Sequence, residues 1–162
     1  MGEKIWKVYL SGEIHSDWRE QISEAVTKAR LPVRLDAPVT QHEDSDDCGV
    51  VILGEEANGF WHDRKGASMN AIRTRTLIGE ADIVVVRFGD KYRQWNAAFD
   101  AGTAAALGKA LITLHDASLN HALKEVDGAA LAVCETPKQV VQTLTYVIRG
   151  ELPGRRSKAA AE

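Results

Sequence analysis

The chain has 162 residues, the size of one domain whose core buries roughly 70% of the unfolded surface without help from metals or disulfides. A net charge of −3 excludes the basic field that gathers nucleic-acid polymers, which leaves local arginines as the means of holding a small anion. Apolar residues at 44% and charged residues at 27% are those of a folded globular chain, and Cys48 and Cys134 match no zinc or redox spacing, which points to reduced thiols and a cytoplasmic protein.

Ile5 to Leu10 is a β-rich run ending at Ser11 and Gly12. It is too short to cross a membrane and has no signal-cleavage pattern, so it reads as a central first strand. A helix follows, with Ser16 or Asp17 as cap, Glu20 completing a capping box with Asp17, and Trp18, Ile22, Ala25, Val26 and Ala29 at helical spacing. Pro32 to Leu35 reads as a second strand. From Asp36 to Asp63 the periodicity fails: Pro38, the acids from Glu43 to Asp47, and Gly49, Gly54 and Gly59 interrupt any long element, leaving one short turn at Val50 to Leu53. An irregular stretch this long is a candidate lid.

Ser68 to Glu80 resumes a helix with Met69, Ile72, Thr76 and Leu77 on one face. Asp82 to Phe88 carries the uninterrupted apolar run Ile83 to Val86 expected of a strand covered on both faces. A helix at Asn96 to Leu107, a stop at Gly108 and a strand at Ala110 to Leu114 come next. His121 to Lys124 reads as one helical turn and Ala129 to Val133 as a fifth strand. The last helix has Thr136 as cap, Pro137 at its first position, Gln139 closing a capping box, an apolar face of Val140, Val141, Leu144, Val147 and Ile148, and Gly150 as stop.

Five strand and helix alternations with right-handed crossovers predict a single α/β domain, a doubly wound five-stranded parallel sheet of flavodoxin-like build over residues 1–150, with 151–162 as a flexible tail. In such sheets ligands sit beyond the carboxyl ends of the strands where strand order reverses. That places a site at Ser11 to Asp17 and Gly89 to Asp100.

In the first loop, Ser11, Gly12, Glu13, His15, Ser16 and Asp17 precede a helix N-terminus able to hold an anion or a sugar. Capping accounts for Ser16 and Asp17, whereas no cap accounts for Glu13 and His15. The second cluster is Asp90, Tyr92, Arg93, Trp95, Asn96 and Asp100, followed by Ala101 and Gly102. Asp100 falls near the first turn of an alanine-rich helix, on a face with Thr103, while Phe99, Gly102, Ala106 and Leu107 are expected to face the core. Arg73, Arg75 and Arg87 supply positive charge; Arg87 interrupts a buried strand and needs either a ligand anion or a partner among Asp82, Asp90 and Asp100. Trp61 and Trp95 are candidates for stacking on a base. His42, His62, His115 and His121 have no metal-ligand spacing, and no phosphate loop or Gly-x-Ser-x-Gly elbow is present, so neither a metal nor a cofactor is expected.

Two segments, Val8 to Arg19 (VYLSGEIHSDWR) and Phe88 to Asn96 (FGDKYRQWN) with Asp100 to Thr103 (DAGT), resemble the YtoQ family. The resemblance runs from about Lys7 to Ile148 and includes Arg73-Thr74 and the stretch around His42, Ser45, Asp46 and Gly49. That family is grouped with the nucleoside 2-deoxyribosyltransferases, which share a five-stranded fold and cleave N-glycosidic bonds. The resemblance implies that Tyr9 orients a carboxylate nucleophile at Asp100, where the transferases carry glutamate. Aspartate is one methylene shorter, a retreat on the order of 1 Å against an attack distance of about 3 to 3.5 Å. Thr74 stands where the transferases carry an aspartate.

The function so implied is N-glycosidic cleavage or transfer on a (2-deoxy)nucleoside or its 5′-monophosphate. Glu13 and Asp90 are the candidate acids for the departing base. Ser11, Gly12, His15, Asp17, Arg73, Arg75, Arg87, Trp95, Asn96 and Gly102 are the candidate substrate contacts. A homodimer or larger assembly is expected, with the helix around Met69 to Leu77 as contact, and neither a nucleic-acid polymer nor a membrane as partner. The competing readings are a nucleotide-binding or sensing protein without turnover and, more weakly, a flavodoxin-like carrier.

Overall fold

The run Ile83 to Val86 has no polar face to show to solvent, and the molecule answers with helices on both sides of its sheet. The computed structural model describes residues 4–91 and 93–154. Strands β1 (Trp6–Gly12), β2 (Val33–Asp36), β3 (Ile83–Arg87), β4 (Ala110–Leu114) and β5 (Ala132–Cys134) form one all-parallel sheet in the order β2-β1-β3-β4-β5. Helices α1 (Trp18–Lys28), α2 (His42–Leu53), α3 (Gly59–Glu80), α4 (Trp95–Ala106), α5 (Lys124–Ala129) and α6 (Pro137–Arg149) connect and cover it. The chain leaves β1 for one edge and returns to β3 on its other side, pairing Gly12 with Arg87. Strand order therefore reverses between β1 and β3, and a crevice opens at their carboxyl ends.

Alternation along the strands divides the core into two layers. Val8, Leu10, Ile83, Val85, Ile112 and Leu114 face α1 and α6, where Trp18, Ile22, Val140 and Leu144 are buried. Tyr9, Val84, Val86 and Leu111 face α3 and α4, where they meet Ile78, Ala97, Ala101 and Ala104. The last helix is built as expected: Thr136 Oγ1 accepts from the Gln139 amide at 3.2 Å, Gln139 Oε1 accepts from the Thr136 amide at 3.2 Å, and Gly150 ends it at φ 71°.

Several expectations are corrected. The segment read as irregular holds the 12-residue α2, and α3 begins at Gly59 rather than Ser68. Of the glycines read as breakers, Gly49 is where these helices touch, against Gly66: a Cβ on Gly49 would lie 2.7 Å from the Gly66 nitrogen, and one on Gly66 would lie 2.7 Å from the Asp46 carbonyl oxygen, whereas Gly54 and Gly59 would meet nothing within 4 Å. Asn58 caps α3 by accepting from the Trp61 amide at 3.2 Å, and Glu43 and Asp44 sit in the first turn of α2, where carboxylates favour the helix dipole.

On α4 the buried stripe is Ala97, Ala101 and Ala104, while Phe99, Gly102 and Leu107 are exposed. Small alanines let the helix lie close on the sheet, so bulk was the wrong guide to its inner face. Asp17 makes no cap bond and instead accepts from the Gln21 amide side chain at 2.8 Å. His121 lies in a turn, and both α5 and β5 fall slightly later than the sequence spacing indicates. No helix among the described residues is long and apolar enough to cross a membrane. Of the expected tail, residues 155–162 lie outside the described residues.

Candidate active site

The loop after β1 is shaped by backbone demands first. Gly12 has φ 101°, and a Cβ there would lie 2.1 Å from the Arg87 carbonyl oxygen, so only glycine fits the contact with β3. Behind the loop, the buried Arg19 donates from Nε to the Leu10 carbonyl at 3.0 Å, from Nη1 to that of Glu13 at 2.6 Å and from Nη2 to that of Gly12 at 3.1 Å. Trp18 Nε1 also donates to the Glu13 carbonyl at 2.8 Å, and the Arg19 guanidinium packs 4.4 Å over the Trp18 ring. Burial pulls the Arg19 pKa down to about 10, which leaves it cationic at neutral pH. Sequence reasoning missed this clamp; the available signal was an arginine on the inward face of a helix directly after a buried tryptophan.

Glu13 is buried under the same loop. Its carboxylate accepts from the His15 amide and the Ser16 hydroxyl, and Arg87 Nε stands 3.7 Å away. Burial works to raise its pKa, but the Ser16 and His15 hydrogen bonds and the Arg87 charge outweigh it, holding the carboxyl below its usual range. The ion-pair partner of Arg87 is thus Glu13, not Asp82, Asp90 or Asp100. Asp82 is taken by Lys4 at 2.8 Å and the Lys7 amide at 2.9 Å. Gly89 is needed here as well, since a Cβ would meet Glu13 Cγ at 2.6 Å.

Asp100 reaches the crevice from α4, and Ser11 Oγ donates to its Oδ2 at 2.5 Å. Burial raises the Asp100 carboxyl above its ordinary value, with Ser11 opposing. Beneath lies Tyr9, fully buried, its phenol pushed up to about 12 chiefly by burial. Thr74 works the other way from beyond hydrogen-bond geometry, and the phenol oxygen has no hydrogen-bond partner among the described residues.

These groups line an open cleft of about 740 Å³ between the β1 loop, the α2–α3 hairpin and the start of α4. It gathers Ser11, Gly12, Glu13, His15, Arg73, Arg75, Trp95, Asn96 and Asp100 of the expected set, with Arg93 beside them. Tyr9 lies below its floor. Four other expected residues fall outside the lining: Asp17 and Asp90 are exposed elsewhere, Arg87 lies under the loop with Glu13, and Gly102 is exposed on another side of α4. Tyr92 lies outside the described residues.

The hairpin adds Asp46 and Asp63, which the sequence reading left in the irregular stretch, and Asn70, which it placed on a helix without a role. Asn70 Nδ2 donates to the Ser45 carbonyl at 2.8 Å, tying α3 to α2, and Arg73 donates to the Ala37 carbonyl at 3.0 Å. The His15 and His42 rings meet edge-on at 6.4 Å, and His42 Nε2 lies 3.4 Å from Asp46 Oδ2. No group of three or more His, Cys, Asp or Glu side chains among the described residues is arranged to hold a metal ion.

A family model described as "Nucleoside 2-deoxyribosyltransferase YtoQ" matches residues 9–148, which span every element of the site. The chain belongs to the YtoQ family. A YtoQ relative from Bacillus subtilis (strain 168), described as an uncharacterized protein, is 42% identical over 144 residues, covering 89% of this chain and 97% of its own. Among solved structures, a 2-deoxyribosyltransferase from Bacillus psychrosaccharolyticus is similar with TM-score 0.51 and 21% identity, over 85% of this chain and 95% of that one. A conserved protein from Enterococcus faecalis V583 is similar with TM-score 0.60 and 15% identity, over 89% and 99%. At these identities the likeness shows that this YtoQ protein shares their five-stranded fold.

Proposed function

We propose that this YtoQ protein cleaves or transfers the N-glycosidic bond of a (2-deoxy)nucleoside or nucleoside 5′-monophosphate, with Asp100 as the nucleophile. The observation that carries the reading is the half-buried Asp100 carboxylate, anchored by Ser11 through one oxygen above the Tyr9 phenol. One oxygen held and the other available is what attack on an anomeric carbon requires. The step parallels that of retaining glycosidases, with a covalent glycosyl ester that water or a second base then resolves. The Tyr9 phenol stays protonated at working pH and serves as a neutral support beside the charge.

The cleft supplies the remaining contacts. Trp95, exposed on the cleft at the first position of α4, offers a stacking face for a base. Arg75 and Arg93 are exposed there without a carboxylate partner among the described residues, and they suit a 5′-phosphate; Arg73 is partly committed to Ala37. Asn96 and the Gly12 backbone bound the sugar pocket. The protein acts in the cytoplasm on small molecules rather than polymers or membranes, as a homodimer or larger assembly.

The test is release of free base from a panel of deoxynucleosides and their 5′-monophosphates. At least one should yield base, and Asp100→Asn should slow it by roughly 10²-fold or more, because the charge facing the oxocarbenium ion is lost with little change of shape. Base release undiminished in Asp100→Asn rejects the nucleophile. Ligand binding without turnover across the panel favours a sensor, the reading suggested by the shorter carboxylate.

A further inference from the structure

We propose that His15, oriented by His42 and Asp46, is the general acid that protonates the departing base; this rests on the N-glycosidic reading above. Breaking the bond sends its electron pair to a ring nitrogen, and an unprotonated purine anion leaves poorly, so a proton must arrive as the bond breaks. Neither carboxyl suggested by the sequence is placed to deliver it. Glu13 is ionised and already accepts from the His15 amide and the Ser16 hydroxyl, with Arg87 beside it. Asp90 is exposed and does not line the cleft.

His15 does line the cleft, on the loop that also presents Ser11 to Asp100. Its main chain is fixed by the hydrogen bond that its amide donates to the Glu13 carboxylate, and its ring meets that of His42 edge-on. His42 belongs to α2 and is in turn held by Asp46 one turn along, at 3.4 Å. Histidine is the side chain suited to giving up a proton and taking one back near neutrality. His42 and Asp46 are positioning residues, acting through His15.

The chemistry balances in two steps. In the first, the His15 imidazolium gives its proton to a ring nitrogen of the base, the C1′–N bond breaks with its pair going to the base, and an Asp100 oxygen bonds to C1′. In the second, water attacks C1′, the Asp100 carboxylate leaves with the pair of the ester bond, and neutral His15 takes the water proton. Where a second base is the acceptor, its N–H proton goes to His15 instead. Both residues are restored.

The experiment compares 2′-deoxyguanosine with 7-methyl-2′-deoxyguanosine, whose base departs as a neutral molecule without an added proton. In His15→Gln the ratio of the 7-methyl rate to the ordinary rate should rise by about 10²-fold or more over wild type, the size of a lost general acid. His42→Asn should raise the same ratio by a smaller factor, about tenfold. His15 is exposed, so its replacement leaves the core intact. If wild type turns over both substrates and His15→Gln leaves the ratio unchanged, the assignment is overturned while the glycosidic reading stands. Wild type that releases neither base overturns the assignment, and the glycosidic reading falls with it only if the whole panel of deoxynucleosides and 5′-monophosphates also yields no base. Asp100→Asn, by contrast, should slow both substrates together and leave the ratio near that of wild type.

Discussion

Glu13 and Asp100 are carboxylates lining the same crevice, and their surroundings push them in opposite directions. Glu13 is held below its ordinary value, so folding favours its charge; that contribution is complete above the unfolded value near 4.3 and is lost as pH falls through the lower folded value. Glu13→Gln should therefore cost about 1 to 3 kcal/mol at pH 7, since Arg87 and two donors lose their charged acceptor. Urea melts at pH 7 and in steps toward acid should show the gap to wild type closing below about pH 4, near the carboxylate range. A gap that stays constant with pH would contradict the ionised anchor. Asp100 is raised instead, as a group taken partly out of water without an ion-pair partner among the described residues must be.

The α2–α3 hairpin depends on two helices meeting through glycine, and its prediction belongs to that contact. Adding a methyl at Gly66 places carbon against the Asp46 carbonyl, so Gly66→Ala should pry α2 outward. Hydrogen exchange in residues 42–53 should quicken while β1 and β3 keep their protection. Equal protection of α2 in the variant would show that the helices have room to spare. This hairpin is also where sequence reading ran out. Ile83 to Val86 and the Thr136 cap were legible because runs and caps are local signals, and the loops after β1 and β3 followed from topology. Asp100, Glu13, His15 and Trp95 were reached that way. Gly49 reads locally as a breaker, and only the partner helix shows it to be a contact point, so Asp46 and Asp63 were left in an irregular stretch with no place in the cleft, and Asn70 on its helix without a role. Arg19 was hidden for a related reason, because its three acceptors are backbone carbonyls that no side-chain pattern records.

At the scale of the whole molecule, α3 and α4 leave large apolar side chains in solvent. Ile72 is 71% exposed, Phe99 64% and Leu107, the cap of α4, 55%. Sedimentation is expected to report a dimer or larger species, and a monomer at roughly tens of micromolar would count heavily against the assembly. The two walls of the cleft also come from separate stretches of chain. Everything between β2 and β3 builds the hairpin wall with Asp46, Asp63, Asn70, Arg73 and Arg75, whereas Ser11 rides on β1 and Asp100 on α4. On the proposed function, exchange of that one insert between relatives would change which molecule is admitted, and with His42 and Asp46 the support behind His15, while leaving Ser11 and Asp100 in place.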